Sequence, residues 1–288
     1  MFAGYALVAA AALLWGFIGP LSKFAFQAGM SPLEVAFWRA MLAWVLYAVH
    51  AWRLGRMKVD ASDLPWVAGF GVVCIFGLFA SYVLAVREGG AALASVLLYT
   101  APAWVALLAW KILKERLTPV TIAAVAVTIL GVAGVSLGDG ATGAGEAGGS
   151  MNFAAIALGL LSGITYALYY IFGKAFLNRY ATPTVFLYAL PVGGACMLPF
   201  FSFQPHPLSA WVSCMALAVC CTYGAYSLYY AGLRRIEASR AAVIATLEPV
   251  VAALLAFSFF GERFTALGYV GSALILTAVI MTIVAARR

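Results

Sequence analysis

Long apolar runs, each bounded by a short polar connector, fill this chain from end to end. A membrane-spanning helix needs about 20 mainly apolar residues. Ten runs meet that requirement, at about 3–26, 33–51, 65–86, 90–112, 119–137, 152–174, 183–202, 209–233, 238–260 and 266–286. The first run, Phe2 to Phe26, exceeds the roughly 7–15 residues of a signal-peptide core and is read as the first span. The longest connector, "GDGATGAGEAGGS" around 138–150, is Gly-rich and too small to fold. The expected fold is therefore all-α and integral to the membrane, with ten transmembrane helices.

Composition agrees with the pattern. Of the 288 residues 65% are hydrophobic and 9% charged, and the mean hydropathy is +1.02. A soluble domain carries roughly 25% charged residues, so these few cannot coat one, and the lipid bilayer is the expected partner. The net charge of +7 forms no basic stripe in a polar domain, which argues against nucleic acid. It sorts instead by side. With the N-terminus inside, thirteen of the 17 Lys and Arg fall in inside segments, and Lys23, Arg87 and Arg263 fall outside. Arg39 lies within the second span. That asymmetry predicts both termini cytoplasmic. Trp52, Trp66, Trp110 and Trp211 fall near span ends, as interfacial anchors do. The five cysteines lie inside apolar runs without metal-ligand spacing and read as small buried residues.

The chain also repeats itself. "TAPAWVALLAWKILKERLT" at 100–118 aligns with "LEPVVAALLAFSFFGERFT" at 247–265 at an offset of 147. Pro102 meets Pro249, and Glu115-Arg116 meets Glu262-Arg263. Gly77, Tyr82 and Arg87 meet Gly224, Tyr229 and Arg234 at the same offset. An offset of 151 brings Lys23 to Lys174 and Ser31-Pro32 to Thr182-Pro183. Because five spans is an odd number, the second copy must enter the membrane from the other side. The expected organisation is two inverted five-helix repeats, residues 1–137 and 152–288, around a central cavity, joined by a periplasmic linker at 138–151. Ten spans supply both halves, so a monomer suffices.

With "KERLT" and "GERFT" after the fourth and ninth spans, and "LEPVVAALLA" in the ninth, the sequence resembles the EamA branch of the drug/metabolite transporter superfamily along essentially its whole length. In general likeness it is most similar to the bacterial exporters of aromatic amino acids. The resemblance implies a bacterial inner-membrane exporter of amino acids and related metabolites, with spans 1, 3, 4, 6, 8 and 9 around the cavity and spans 5 and 10 at the periphery.

Three kinds of residue mark where a substrate would sit. Pro102 and Pro249 each remove a backbone donor and free a carbonyl one turn earlier, which water or substrate can satisfy beside a cavity. Trp15, Phe79, Tyr82, Ser95, Tyr99, Tyr166, Tyr170, Tyr226, Tyr229 and Thr246 are candidate substrate contacts; a cavity they line is apolar with a few hydroxyls. Each of these aromatics also fits ordinary helix packing. Gly16 and Gly163 permit close approach or bending at a gate, while Gly131, Gly134, Gly268 and Gly271 read as packing positions. Glu248 lies about ten residues into the ninth span, roughly 15 Å deep. An ionised group there costs at least about 2.5 kcal/mol. Three roles are open to it: structure or gating, proton coupling, and contact with a substrate amino group. The "LEP" hallmark favours the first.

Other classes lack their parts. The only histidines, His50 and His206, end different spans, and neither H-E-x-x-H nor G-x-S-x-G occurs, which argues against an enzyme. No G-x-x-x-x-G-K-[ST] occurs, so ATP does not drive this chain. No cofactor or metal site is expected. Few intramembrane polar groups argue against a channel. Downhill export by alternating access is the expected mechanism, and proton antiport of drugs or other metabolites through Glu248 is the alternative.

Overall fold

The computed structural model describes residues 2–140, 153–261 and 265–285, and all regular structure among them is helical. Among the described residues nine helices are long and apolar enough to cross a membrane: α1 Phe2–Gln27, α2 Pro32–Arg53, α3 Leu64–Leu98, α5 Pro119–Leu137, α6 Phe153–Leu177, α7 Thr182–Phe200, α8 Leu208–Leu233, α9 Ala238–Phe259 and α10 Ala266–Ala285. A shorter apolar helix, α4, spans Ala101–Leu113. The Glu262-Arg263 pair singled out in the sequence lies outside the described residues.

Local sequence sets the helix ends and interruptions. Ser31 caps α2, its hydroxyl accepting the Glu34 N–H at 3.3 Å, with Pro32 at the first helical position. Gly90 interrupts α3 with φ 83° and ψ 161°, a conformation that residues with a Cβ rarely take. The sequence pattern separates two spans at the same place. α3 and α8 each contain a π-helical turn, at Gly71–Gly77 and Leu217–Gly224. Shifted by the repeat offset of 147, the first of these falls on the second.

The helices pack in crossed pairs. α3 packs on α6, α1 on α8, α2 on α7, and α5 on α10. α5 and α10 approach backbone to backbone. A Cβ on Gly134 would lie 2.9 Å from the Gly271 Cα, and one on Gly271 would strike the Gly131 carbonyl. The backbones thus touch where the sequence places small residues, as membrane helices associate in the absence of a hydrophobic drive. The largest buried cluster joins α1, α2, α3, α6, α7, α8 and α9, and is rich in aromatic rings such as Tyr47, Phe70, Tyr169, Phe186 and Tyr230.

Candidate functional site

Two helix breaks frame the centre of the bundle. The first separates Leu98 from α4 at Tyr99-Thr100, where the Thr100 hydroxyl donates to the Leu97 carbonyl at 2.6 Å. The second interrupts α9 at Thr246, whose hydroxyl donates to the Val243 carbonyl at 2.5 Å. Pro102 and Pro249 follow their breaks by two or three residues and lack the N–H that would close the turn. Each break has a glycine against it. Gly163 of α6 faces the first: a Cβ there would stand 2.7 Å from the Leu97 carbonyl and 2.8 Å from Thr100 Oγ1. Gly16 of α1 packs on Val251, just beyond the second. Gly163 does not break its own helix; it admits the break of another.

Glu248 stands at the second break. Tyr166 donates its hydroxyl to Glu248 Oε2 at 3.3 Å. Tyr82 and Ser95 share a hydrogen bond at 3.2 Å beside them. Arg39 of α2 faces the same centre. Its Nε donates to Thr222 Oγ1 at 3.2 Å, in the π-helical turn of α8. Its guanidinium lies 5.1 Å from the Phe79 ring centroid. Arg39 and Glu248 form no ion pair with each other.

The predicted contacts divide into two groups. Tyr82, Tyr99, Tyr166, Tyr226 and Glu248 are ringed by protein atoms yet keep accessible surface, as side chains facing an internal space do. Phe79 and Ser95 are likewise half-buried. Trp15, Tyr170, Tyr229 and Thr246, by contrast, are buried. Trp15 packs on Tyr226 and Tyr229, with centroids at 6.1 and 5.2 Å, and Tyr170 meets Tyr229 edge-on at 5.2 Å. The Thr246 hydroxyl is spent on its own helix. These four are packed within the protein. The Tyr229 hydroxyl is buried without a hydrogen-bond partner.

Just past the end of α4, one carboxylate ties α4 to α6 and α9. Glu115 accepts the Ala238 N–H at 2.7 Å, the Ser239 N–H at 3.2 Å and the Ser239 hydroxyl at 3.0 Å. It thereby caps α9, whose N-terminal partial charge favours an anion. Lys174 of α6 stands 3.3 Å from Glu115 Oε1 and donates to the Ile236 carbonyl. On the loops of this end, Arg179 pairs with Asp63 at 2.7 Å, and Tyr180 donates to Asp63 at 2.6 Å. The bond to Asp63 is also the main reason the Tyr180 phenol is held above its ordinary pKa. A second buried tie joins Glu34, in the first turn of α2, to His206 just ahead of α8, at 2.9 Å. The sequence pattern points to neither partner of that tie. A cleft lined by Thr118, Thr121, Ser239, Arg240 and Met281, and another lined by Phe24, Gln27, Pro207 and Val212, include none of the predicted contacts.

Comparison with known proteins bears on the family and the fold. The sequence description of the EamA-like transporter family matches residues 2–137 and 153–284. A relative from Streptantibioticus cattleyicolor, named "Probable terminal-alkyne amino-acid exporter", is 32% identical over 254 residues, covering 84% of this chain and 81% of the relative. An "Uncharacterized transporter" of Archaeoglobus fulgidus is 27% identical and covers 92% of this chain and 91% of its own length. The Salmonella typhimurium "Uncharacterized inner membrane transporter YicL" is 25% identical over 96% of this chain and 94% of itself. A solved structure has the same fold, with a TM-score of 0.81 at 20% identity, covering 99% of this chain and 98% of that one. The chain belongs to the EamA-like transporter family and is a multi-pass membrane transporter.

Proposed function

We propose that this protein exports amino acids, aromatic or otherwise apolar in side chain, and related metabolites across a bacterial inner membrane. It does so downhill and by alternating access. Residues 91–98 together with α4 form a tenth crossing, and the two five-helix halves, 1–137 and 152–288, are inverted repeats with both termini in the cytoplasm. The repeat-matched π-helical turns, the crossed packing and the family match to each half support this reading. The observation that carries the functional reading is Glu248 at a helix break, among tyrosine hydroxyls that keep accessible surface far from the chain's charged ends. Broken helices at the midplane are where transporters hold substrate. The amino-acid class draws support from the relative named as an amino-acid exporter.

In this orientation the buried Tyr170 and Tyr229 lie nearer the cytoplasmic ends of α6 and α8 than the accessible Tyr166 and Tyr226 of the same helices. The Glu115 tie lies on the cytoplasmic side. We read the structure as an outward-facing state in which Glu115 latches the cytoplasmic gate.

Uptake of labelled phenylalanine into liposomes holding the purified protein, with and without an imposed pH gradient, tests the reading. Uptake that ends at equal concentrations and ignores the gradient is expected. Accumulation only under the gradient would show proton coupling and make Glu248 its first candidate. Uptake no greater than in empty liposomes would refute the aromatic amino-acid reading.

A further inference from the structure

We propose that Tyr229 is the cytoplasmic counterpart of Tyr82: its hydroxyl, stranded without a partner in the present state, is uncovered when the site turns to the cytoplasm, and this unmet hydrogen bond drives the carrier out of the latched state. This rests on the alternating-access reading above and names a residue that sets the balance between its two states.

A buried tyrosine hydroxyl ordinarily finds a partner. Among the described residues four buried side-chain polar groups have none: Trp38 Nε1, Thr128 Oγ1 and the hydroxyls of Tyr169 and Tyr229. Tyr229 is fully enclosed, with 0% of its surface accessible. The rings of Trp15, Tyr170 and Tyr230 stand 5.2, 5.2 and 5.6 Å from its own, centroid to centroid. These contacts bury the ring and give its hydroxyl nothing. Tyr230, the next residue, shows the ordinary arrangement. It is equally buried, and its hydroxyl donates to the Tyr169 carbonyl at 3.3 Å. An unmet buried donor shifts an equilibrium that relieves it by about ten-fold or more. The state that buries the Tyr229 hydroxyl is disfavoured by that factor.

The repeat indicates which state relieves it. Of the four groups, Tyr229 alone is matched by the repeat to a residue of its own kind. Its mate, Tyr82, keeps accessible surface and shares a hydrogen bond with Ser95 at 3.2 Å. The same division holds in two further pairs. Tyr99 is accessible and its mate Thr246 is buried; Tyr166 is accessible and its mate at the 151 offset, Trp15, is buried. Inverted halves give two related conformations in which each half takes the other's part. When the site turns inward, Tyr229 therefore takes up the exposure that Tyr82 has now. The place of Ser95 is held in the second half by Ala242, which has no hydroxyl. The uncovered Tyr229 hydroxyl is thus left to water or substrate.

Thermal unfolding of the purified full-length protein in detergent, without substrate, tests the first half of the proposal. Removing a partnered buried hydroxyl lowers stability, whereas removing an unmet one raises it. Tyr229→Phe should raise the unfolding midpoint by about 2 °C or more, and Tyr230→Phe should lower it by a similar amount. Hydrogen–deuterium exchange tests the second half, because better packing at Tyr229 alone does not reach the Glu115 tie. In Tyr229→Phe, peptides covering 236–245 should exchange about ten-fold slower, while peptides from α5 and α10 should not change. A Tyr229→Phe protein that unfolds at a lower midpoint, or does not fold, would show that the hydroxyl is satisfied in this state and overturn the proposal. Exchange at 236–245 equal to wild type would overturn it as well, because the hydroxyl would then not bear on the balance of states. Either result beside a counterflow overshoot in the wild-type protein removes this proposal alone. Absence of that overshoot removes alternating access and the proposal together.

Discussion

Replacing Glu115 with alanine isolates the tie between α4, α6 and α9. The carboxylate accepts two backbone N–H groups, at 2.7 and 3.2 Å, and one hydroxyl at 3.0 Å, with an ammonium at 3.3 Å. Loss of a helix-capping side chain costs about 0.5–2 kcal/mol. Leaving a buried donor without a partner costs about 1–3 kcal/mol. The Lys174 contribution must be discounted, because its side chain is 24% exposed and water recovers part of its charge. These terms overlap, since the cap and the stranded donors are the same N–H groups. A total of about 3 kcal/mol follows, roughly a hundred-fold in the equilibrium between a closed and an open first turn of α9. Hydrogen–deuterium exchange reads that opening directly. In Glu115→Ala, peptides covering 236–245 should exchange about a hundred-fold faster, while peptides from α5 and α10 should not change. Glu115→Gln keeps an acceptor but not the charge and should accelerate exchange about ten-fold. Exchange within about three-fold of wild type in the alanine variant would refute the reasoning, because the carboxylate would then not hold the turn.

Three further outcomes are expected. Gly163→Ala places a Cβ 2.7 Å from the Leu97 carbonyl, so α6 must move away from the end of α3, and thermal unfolding in detergent should show a loss of about 1–3 kcal/mol. Gly271→Leu puts a branched side chain into the Gly131 backbone and should prevent α5 and α10 from packing, measured as loss of a monodisperse peak in size-exclusion chromatography. Tyr166→Phe removes the 3.3 Å hydrogen bond to Glu248 while keeping the ring, and should lower phenylalanine uptake by only about three- to ten-fold.

Particular residues show how far the sequence carries. Apolar runs and prolines marked the spans and both interruptions, but the breaks fall at Tyr99-Thr100 and Thr246, just before Pro102 and Pro249. Proline frees the carbonyl of the preceding turn, so the distortion appears upstream of it. Aromatic character inside the spans put Trp15 and Tyr229 among the candidate contacts, yet both are buried. A helical repeat reveals which residues share a face and not which neighbour covers that face. The charges of Arg39 and Glu115 stood out in the sequence. Their partners did not: Thr222 is 183 residues from Arg39 and Ser239 is 124 from Glu115. Such contacts follow from the crossing of distant helices, which local pattern does not encode.

The central claim is that one site is exposed alternately to the two sides. Counterflow measures this most directly. Liposomes containing the protein are preloaded with unlabelled phenylalanine and diluted into a trace of labelled phenylalanine. A carrier that returns loaded faster than empty gives a transient overshoot of label inside, and the account predicts that overshoot. Labelled entry that rises without overshoot, and at the same rate in preloaded and empty liposomes, would contradict alternating access and indicate a continuous pore.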